Sequence, residues 1–242
     1  MSLRLDSRPV GDVMVVQCNG RIVAGTDVHS LQLHLRKVLP QYHDVVLQLE
    51  RVDFVDSSGL GALVRLLSTA RTSGGSLRLC SLQPNVRRVL EATHLITLFE
   101  TYDSEADAIV AAYLGSRYAA NGGARKFHIL CVYDSDDVRA LLGEVLNRAG
   151  YRAVTTGNTH DALILLKATK AKLVVLGASL ETVHGVSTKQ AMEEIDPAVS
   201  LIVLDADFAA QDPGLAATRM LEAIRSFIPP DSSTAPPVQG PA

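Results

Sequence analysis

The sequence predicts an α/β protein built as two domains. Three observations carry that prediction. Apolar residues make up 47% of the 242 residues and charged residues 20%, enough to fill ordinary soluble cores. Strand-like runs alternate with helical patterns along almost the whole chain. Two stretches break the alternation. "GSRYAANGGAR" has the glycines and small polar residues of a linker, and "PPDSSTAPPVQGPA" holds five of the ten prolines. They divide the chain into a domain at 1–115, a linker at 116–125, a second domain at 126–228 and a disordered tail at 229–242. The two domains share no repeat.

In the first domain, "DVMVVQC" reads as a strand. "GTDVHSLQLHLRKVL" reads as a helix capped by Thr26 or Asp27, with Val28, Leu31, Leu35 and Val38 on one face. "DVVLQLERV" is a central strand. In "FVDSSGLGALVRLL", Leu60, Leu63, Val64 and Leu67 recur at i, i+3, i+4 and i+7, the buried stripe of a helix that "SGG" ends. "SLRLCSL" is a strand and "QPNVRRVLEATHL" a helix with Pro84 in its first turn. "LITLFETY" reads as a short strand and "SEADAIVAAYL" as the closing helix.

The second domain repeats the alternation. "KFHILCVY" is a strand, followed by a helix with Val138, Leu141, Leu142, Val145 and Leu146 on one face. "YRAVTTG" is a strand and "THDALILLKAT" a helix. "KLVVLGA" and "SLIVLDA" are nearly all apolar, as in strands buried on both faces of a parallel sheet. "VSTKQAMEEI" lies between them as a helix, and "GLAATRMLEAIRSFI" is the last helix.

Composition excludes several classes. A net charge of −3 gives no basic field for nucleic acid or an anionic membrane. "MSLRLDSRPV" lacks the apolar core of a signal peptide, and no apolar run is long enough to span a membrane. Cys18, Cys80 and Cys131 are odd in number, scattered and without CxxC spacing, so no disulfide framework or zinc site is expected. They read as small buried residues in a reducing cytoplasm.

The stretch "DSSGLG" holds the candidate site. A strand-to-helix turn leaves the N–H groups of the first helical turn unpaired, and Ser57 or Ser58 suits the cap. Gly59 and Gly61 suit a helix poorly but permit close approach of another backbone or molecule. A nucleophilic serine would need a base; no G-x-S-x-G elbow is present, and nothing places His29, His34, His43 or His94 beside Ser58. No lysine follows the glycines as in a phosphate-binding P-loop. The chain is therefore not read as an enzyme, and no cofactor or metal is expected.

"CNGRIVAGTDVHSL", "VDFVDSSGLGALVRLL" and "GGSLRLCSLQPNVRRVLEATHLITLFETYDSEADAI" together resemble a STAS domain of the anti-sigma factor antagonist type, over nearly all of 10–114. The resemblance implies a mixed sheet with helices mainly on one face. It implies that Ser58, rather than Ser57, is phosphorylated by an anti-sigma factor that is also a serine kinase of the histidine-kinase-like ATPase fold. The unphosphorylated form binds that partner and frees the sigma factor; a phosphatase resets it. Asp56, Ser57, Ser58, Gly59, Leu60 and Gly61 are the expected contact set. "GRIV" departs from the pattern, placing Val23 where family members often carry an acid. The second reading is a constitutive STAS scaffold in a larger assembly, with Ser58 a cap only.

"FHILCVYDSDDVRALLGEVLNRAGYRAVTTGNTHDALILLK" resembles the first half of a response-regulator receiver domain, a flavodoxin-like parallel sheet. Receiver chemistry needs an acidic pair after the first strand, an aspartate ending the third, a hydroxyl residue ending the fourth and a lysine after the fifth. Here these positions hold Tyr133 and Asp134, then Gly177, then Asp205, and the fifth strand with its lysine is missing. Glycine cannot carry an acyl phosphate. Asp136 and Asp137 read as caps, and Asp134 with Asp136 offers too few oxygens for a hard cation. The expectation is a truncated, degenerate receiver serving as a docking or homodimerisation module.

Overall fold

The computed structural model describes residues 2–114, 129–183 and 186–228. The chain divides into two compact units, Met1–Ala124 and Arg125–Ala242. The linker expected at 116–125 and the tail expected at 229–242 lie outside the described residues.

The N-terminal unit runs β1 (Arg4–Val10), β2 (Val13–Ile22), α1 (Thr26–Val38), β3 (Asp44–Val55), α2 (Ser57–Thr72), β4 (Ser76–Cys80), α3 (Pro84–Ala92), β5 (Glu100–Tyr102) and α4 (Glu105–Leu114). Its sheet has the order β1-β2-β3-β4-β5. β1 pairs antiparallel with β2, and every other pair is parallel. The sheet is therefore mixed, with β3 in the middle, as the apolar run of β3 requires.

Alternation along the strands sorts two faces. Met14, Val16, Val45, Leu47, Leu49, Leu77 and Leu79 point to one core, which α1, α2 and α3 close with Leu31, Leu35, Leu63, Leu67, Val86 and Leu90. The neighbours one residue along face the other way, where α4 packs on β3 and β4. Arg78 lies on that second face and is 1% exposed. Its Nε donates to Glu100 at 2.7 Å and its Nη1 to Asp44 at 3.0 Å, which satisfies a charge that burial alone would reject.

Three local expectations change in this unit. β1 occupies a stretch that the sequence pattern leaves unassigned. Helix α1 is entered through Gly25 at φ 95°, with no side-chain cap; neither Thr26 nor Asp27 serves. Asp27 instead accepts from the Leu3 N–H at 3.0 Å, pinning the start of the chain. "LITL" forms a 3-10 turn at Leu95–Leu98, so only Glu100–Tyr102 of the expected strand is extended.

The C-terminal unit runs β6 (Ile129–Val132), α5 (Asp136–Arg148), β7 (Ala153–Thr156), α6 (Thr159–Thr169), β8 (Leu173–Gly177), a short antiparallel pair β9 (Thr182–Val183) and β10 (Val186–Ser187), α7 (Thr188–Ile195), β11 (Ser200–Leu204) and α8 (Pro213–Phe227). The main sheet has the order β11-β8-β6-β7, all parallel. Among the described residues this is the doubly wound order 2-1-3-4 of flavodoxin-like sheets, with no fifth strand. α5 and α8 close one face through Val138, Leu142, Leu146, Ala216, Met220 and Ile224. β11 was expected to be buried on both faces. It is instead an edge strand, with Val203 43% exposed.

Candidate functional site

β3 outruns its neighbour. It pairs with β4 only as far as Gln48 and continues to Val55 with β2 alone. Asp56 then turns the chain into α2 with extended backbone, φ −88° and ψ 179°. Its N–H donates to the Ile22 carbonyl at 3.2 Å. One carboxylate oxygen accepts from the Gly59 N–H at 2.7 Å and the other from the Ala24 N–H at 2.9 Å. Asp56 is thus the cap expected of Ser57 or Ser58, and it also ties the β2–α1 loop to the helix. The N–H of Ala24, then that of Gly59, holds its carboxyl below the usual range; the Ser58 N–H and the Arg21 charge act in the same direction, against desolvation.

With the cap supplied by Asp56, Ser57 and Ser58 are ordinary first-turn residues and both are exposed. The two glycines beside them differ. A Cβ on Gly59 would lie 2.2 Å from the Ile22 carbonyl oxygen and 2.8 Å from Val55 Cγ1, so α2 can close on β2 only at a glycine. A Cβ on Gly61 would meet only Arg65 Nη1, at 3.4 Å. Of the six expected contact residues, Gly59 and Leu60 are buried, while Asp56, Ser57, Ser58 and Gly61 reach the surface. Val23 is partly buried in the loop beside the turn, and its carbonyl accepts from the Val28 N–H.

Two residues beside this turn were not singled out from sequence. Arg21 and Phe54 face each other in the β2–β3 register. The Arg21 guanidinium carbon lies 4.9 Å from the centre of the Phe54 ring, a cation–π stack, and the ring is 46% exposed.

The positions singled out in the C-terminal unit are brought together differently. Tyr133 follows β6, and its ring fills the space above the end of β8. A Cβ on Gly177 would sit 2.8 Å from Tyr133 Cδ2. Phe208 packs beside it with ring centres 6.3 Å apart, and burial, followed by the Asp134 charge, raises the Tyr133 phenol above its usual range. Asp134 accepts from the Ser179 hydroxyl at 3.1 Å. Asp136 pairs with Arg139, whose Nη1 also donates to the carbonyls of Tyr133 and Asp134 at 2.6 and 2.8 Å. Neither Asp136 nor Asp137 caps α5; Ser135 does, accepting from the Val138 N–H. Asp205 is exposed after β11, and its carbonyl accepts from the Phe208 N–H. Among the described residues, no three of His, Cys, Asp and Glu are grouped to hold a metal ion.

Cys18, Cys80 and Cys131 are buried and unpaired, and burial pushes each thiol up to about 12. Among the described residues, no helix is long and apolar enough to cross a membrane.

The family model of the STAS domain matches residues 4–108. The chain is 28% identical over 110 residues to the anti-sigma F factor antagonist of Paenibacillus polymyxa, covering 94% of that protein and 45% of this chain. It is 30% identical over 103 residues to BtrV of Bordetella bronchiseptica, named as a candidate anti-sigma factor antagonist, covering 88% of that protein and 42% of this chain. It is also 31% identical over 78 residues to sporulation initiation phosphotransferase F of Bacillus subtilis, covering 63% of that protein and 32% of this chain. Through residues 4–108 the chain belongs to the STAS domain family, with relatives of the anti-sigma factor antagonist type.

Proposed function

We propose that this protein is a non-enzymatic, cytoplasmic partner-switching regulator. Its N-terminal unit binds an anti-sigma factor through the turn that carries Asp56, Ser57, Ser58 and Gly61. Phosphorylation of Ser58 by that partner, a serine kinase of the histidine-kinase-like ATPase fold, ends the binding, and a phosphatase restores it. One observation carries the reading: Asp56 caps α2, so the Ser58 hydroxyl stands exposed on a helix that does not need it. A phosphate there adds a charge of about −1.5 to −2 and three acceptor oxygens to the surface without disturbing the cap.

The C-terminal unit serves in this reading as a degenerate receiver, used for docking or homodimerisation. Its four-stranded parallel order supports that assignment. Tyr133 over Gly177 supports a unit that takes no phosphoryl group.

Mass spectrometry of the protein from its native cells, together with binding to the purified anti-sigma factor, tests the proposal. Phosphate is expected on Ser58. Ser58→Ala should bind as tightly as the wild type and resist the kinase. Ser58→Glu should lose roughly a hundredfold in affinity, about 2.7 kcal/mol. An unmodified Ser58 under every growth condition, with Ser58→Glu binding normally, would replace the switch with a constitutive scaffold.

A further inference from the structure

The surface around the DSSG turn has a definite sign. Arg21 is exposed on one side, stacked on Phe54. Arg65 is exposed on the other, its guanidinium folded back to 3.4 Å from the Cβ position of Gly61. The first turn of α2 carries no acid. Asp56, which precedes it, has its carboxylate bound to the N–H groups of Ala24 and Gly59. Arg51 and Asp53, also exposed on β3, offset each other. Against Arg21 and Arg65 stands the ionised Asp56 carboxylate, which feels the Arg21 charge, so these groups around the serines keep one positive charge in excess.

Phe54 gives that charge an anchor. Among the described residues of this unit, the exposed large apolar side chains are Leu33, Phe54, Leu98 and Leu114, and Phe54 is the aromatic one. The Phe54 ring fixes where the Arg21 guanidinium sits, 4.9 Å from the ring centre, and a guanidinium can make a two-pronged bond to a carboxylate through its edge. Aromatic and arginine side chains of this kind dominate the binding energy of protein interfaces.

We propose that Arg21, Phe54 and Arg65 form the face that selects the partner, and that its occupant is a carboxylate-bearing segment of the anti-sigma factor. The inference rests on the partner-switching reading and deepens it. It also supplies the physics of release: a phosphate on Ser58 cancels the positive charge that attracts the acidic segment and competes for the same guanidinium groups.

The test uses the full chain and two probes. The first is a hexaglutamate peptide titrated into isotopically labelled protein, with hexalysine as control. Hexaglutamate should shift the side-chain Nε signals of Arg21 and Arg65 and the amides of Ser57 to Gly61, less so at high salt; hexalysine should not. The second probe is the anti-sigma factor recovered on Ser58→Ala and then purified. Arg21→Glu should weaken its binding by at least about tenfold, Phe54→Ala by about tenfold, and Arg21→Lys by only about threefold. All three residues are exposed, so circular dichroism should show an unchanged fold. Wild-type or tighter binding by Arg21→Glu, while Ser58→Glu still loses binding, overturns this face and leaves the switch standing. Normal binding by Ser58→Glu overturns the switch, and the hexaglutamate titration then decides the face alone: absent shifts, or shifts elsewhere, refute it.

Discussion

Each unit contains a strand-to-helix turn at the end of a central parallel strand, and the two turns have opposite contents. After β3, Asp56 takes the backbone groups of the turn and leaves two serine hydroxyls in solvent. After β6, Tyr133 folds inward over Gly177, and Asp134, Asp136 and Arg139 bond to one another's neighbourhood. One turn is open and carries groups that can be modified; the other is filled. The lesson is that a chemical group at a strand end is available only when another residue meets the backbone's needs.

Four substitutions and a titration can break or sharpen that contrast. The largest effect is expected at Gly59. Gly59→Ala drives a methyl into the Ile22 carbonyl, and should cost the N-terminal unit about 3 kcal/mol in chemical denaturation. Gly177→Asp comes next. It collides with the Tyr133 ring, should cost the C-terminal unit about 2 kcal/mol, and should take up no phosphoryl group from acetyl phosphate and Mg²⁺. Labelling of that variant would show the second turn to be open after all.

Gly61→Ala should act in the other direction on stability. It meets only the flexible end of Arg65, and alanine favours the helix by up to about 1 kcal/mol, so denaturation should show a gain while affinity for the anti-sigma factor falls. Asp56→Ala should lower the melting temperature by several degrees at neutral pH, through the lost cap. The pH dependence follows the depressed carboxyl of Asp56. Its contribution is present in full above the unfolded-state value and fades as pH falls through the lower folded-state value. The melting-temperature gap between wild type and Asp56→Ala should therefore close in acid. A gap that persists there would assign the loss to packing.

The helices and parallel strands were legible because their apolar periods are regular. α6 spans the residues its pattern predicts, and Leu60, Leu63 and Leu67 are buried as their spacing requires. Caps were less legible, because several polar residues near a helix start satisfy the same rule. Asp56, Ser135 and Gly25 hold positions that Ser57 or Ser58, Asp136 or Asp137, and Thr26 or Asp27 could equally have filled on composition. β1 escaped because RLDSRPV has little apolar alternation, being held mainly by its backbone pairing with β2. Phe54 escaped for a geometric reason. Period-two alternation groups it with buried Val52, but the register shift at Gly20 and Arg21 turns it outward and brings Val55 in.

The contact between Gly59 and the Ile22 carbonyl has one more consequence. It seats the first turn of α2 against the end of β2, with no room between them for a methyl group. On the switching proposal, a charge placed on that turn acts through its field from where it stands. Such a field fades over about 8 Å in physiological salt. The listener must come that close, and the signal has a radius set by the ions of the cell.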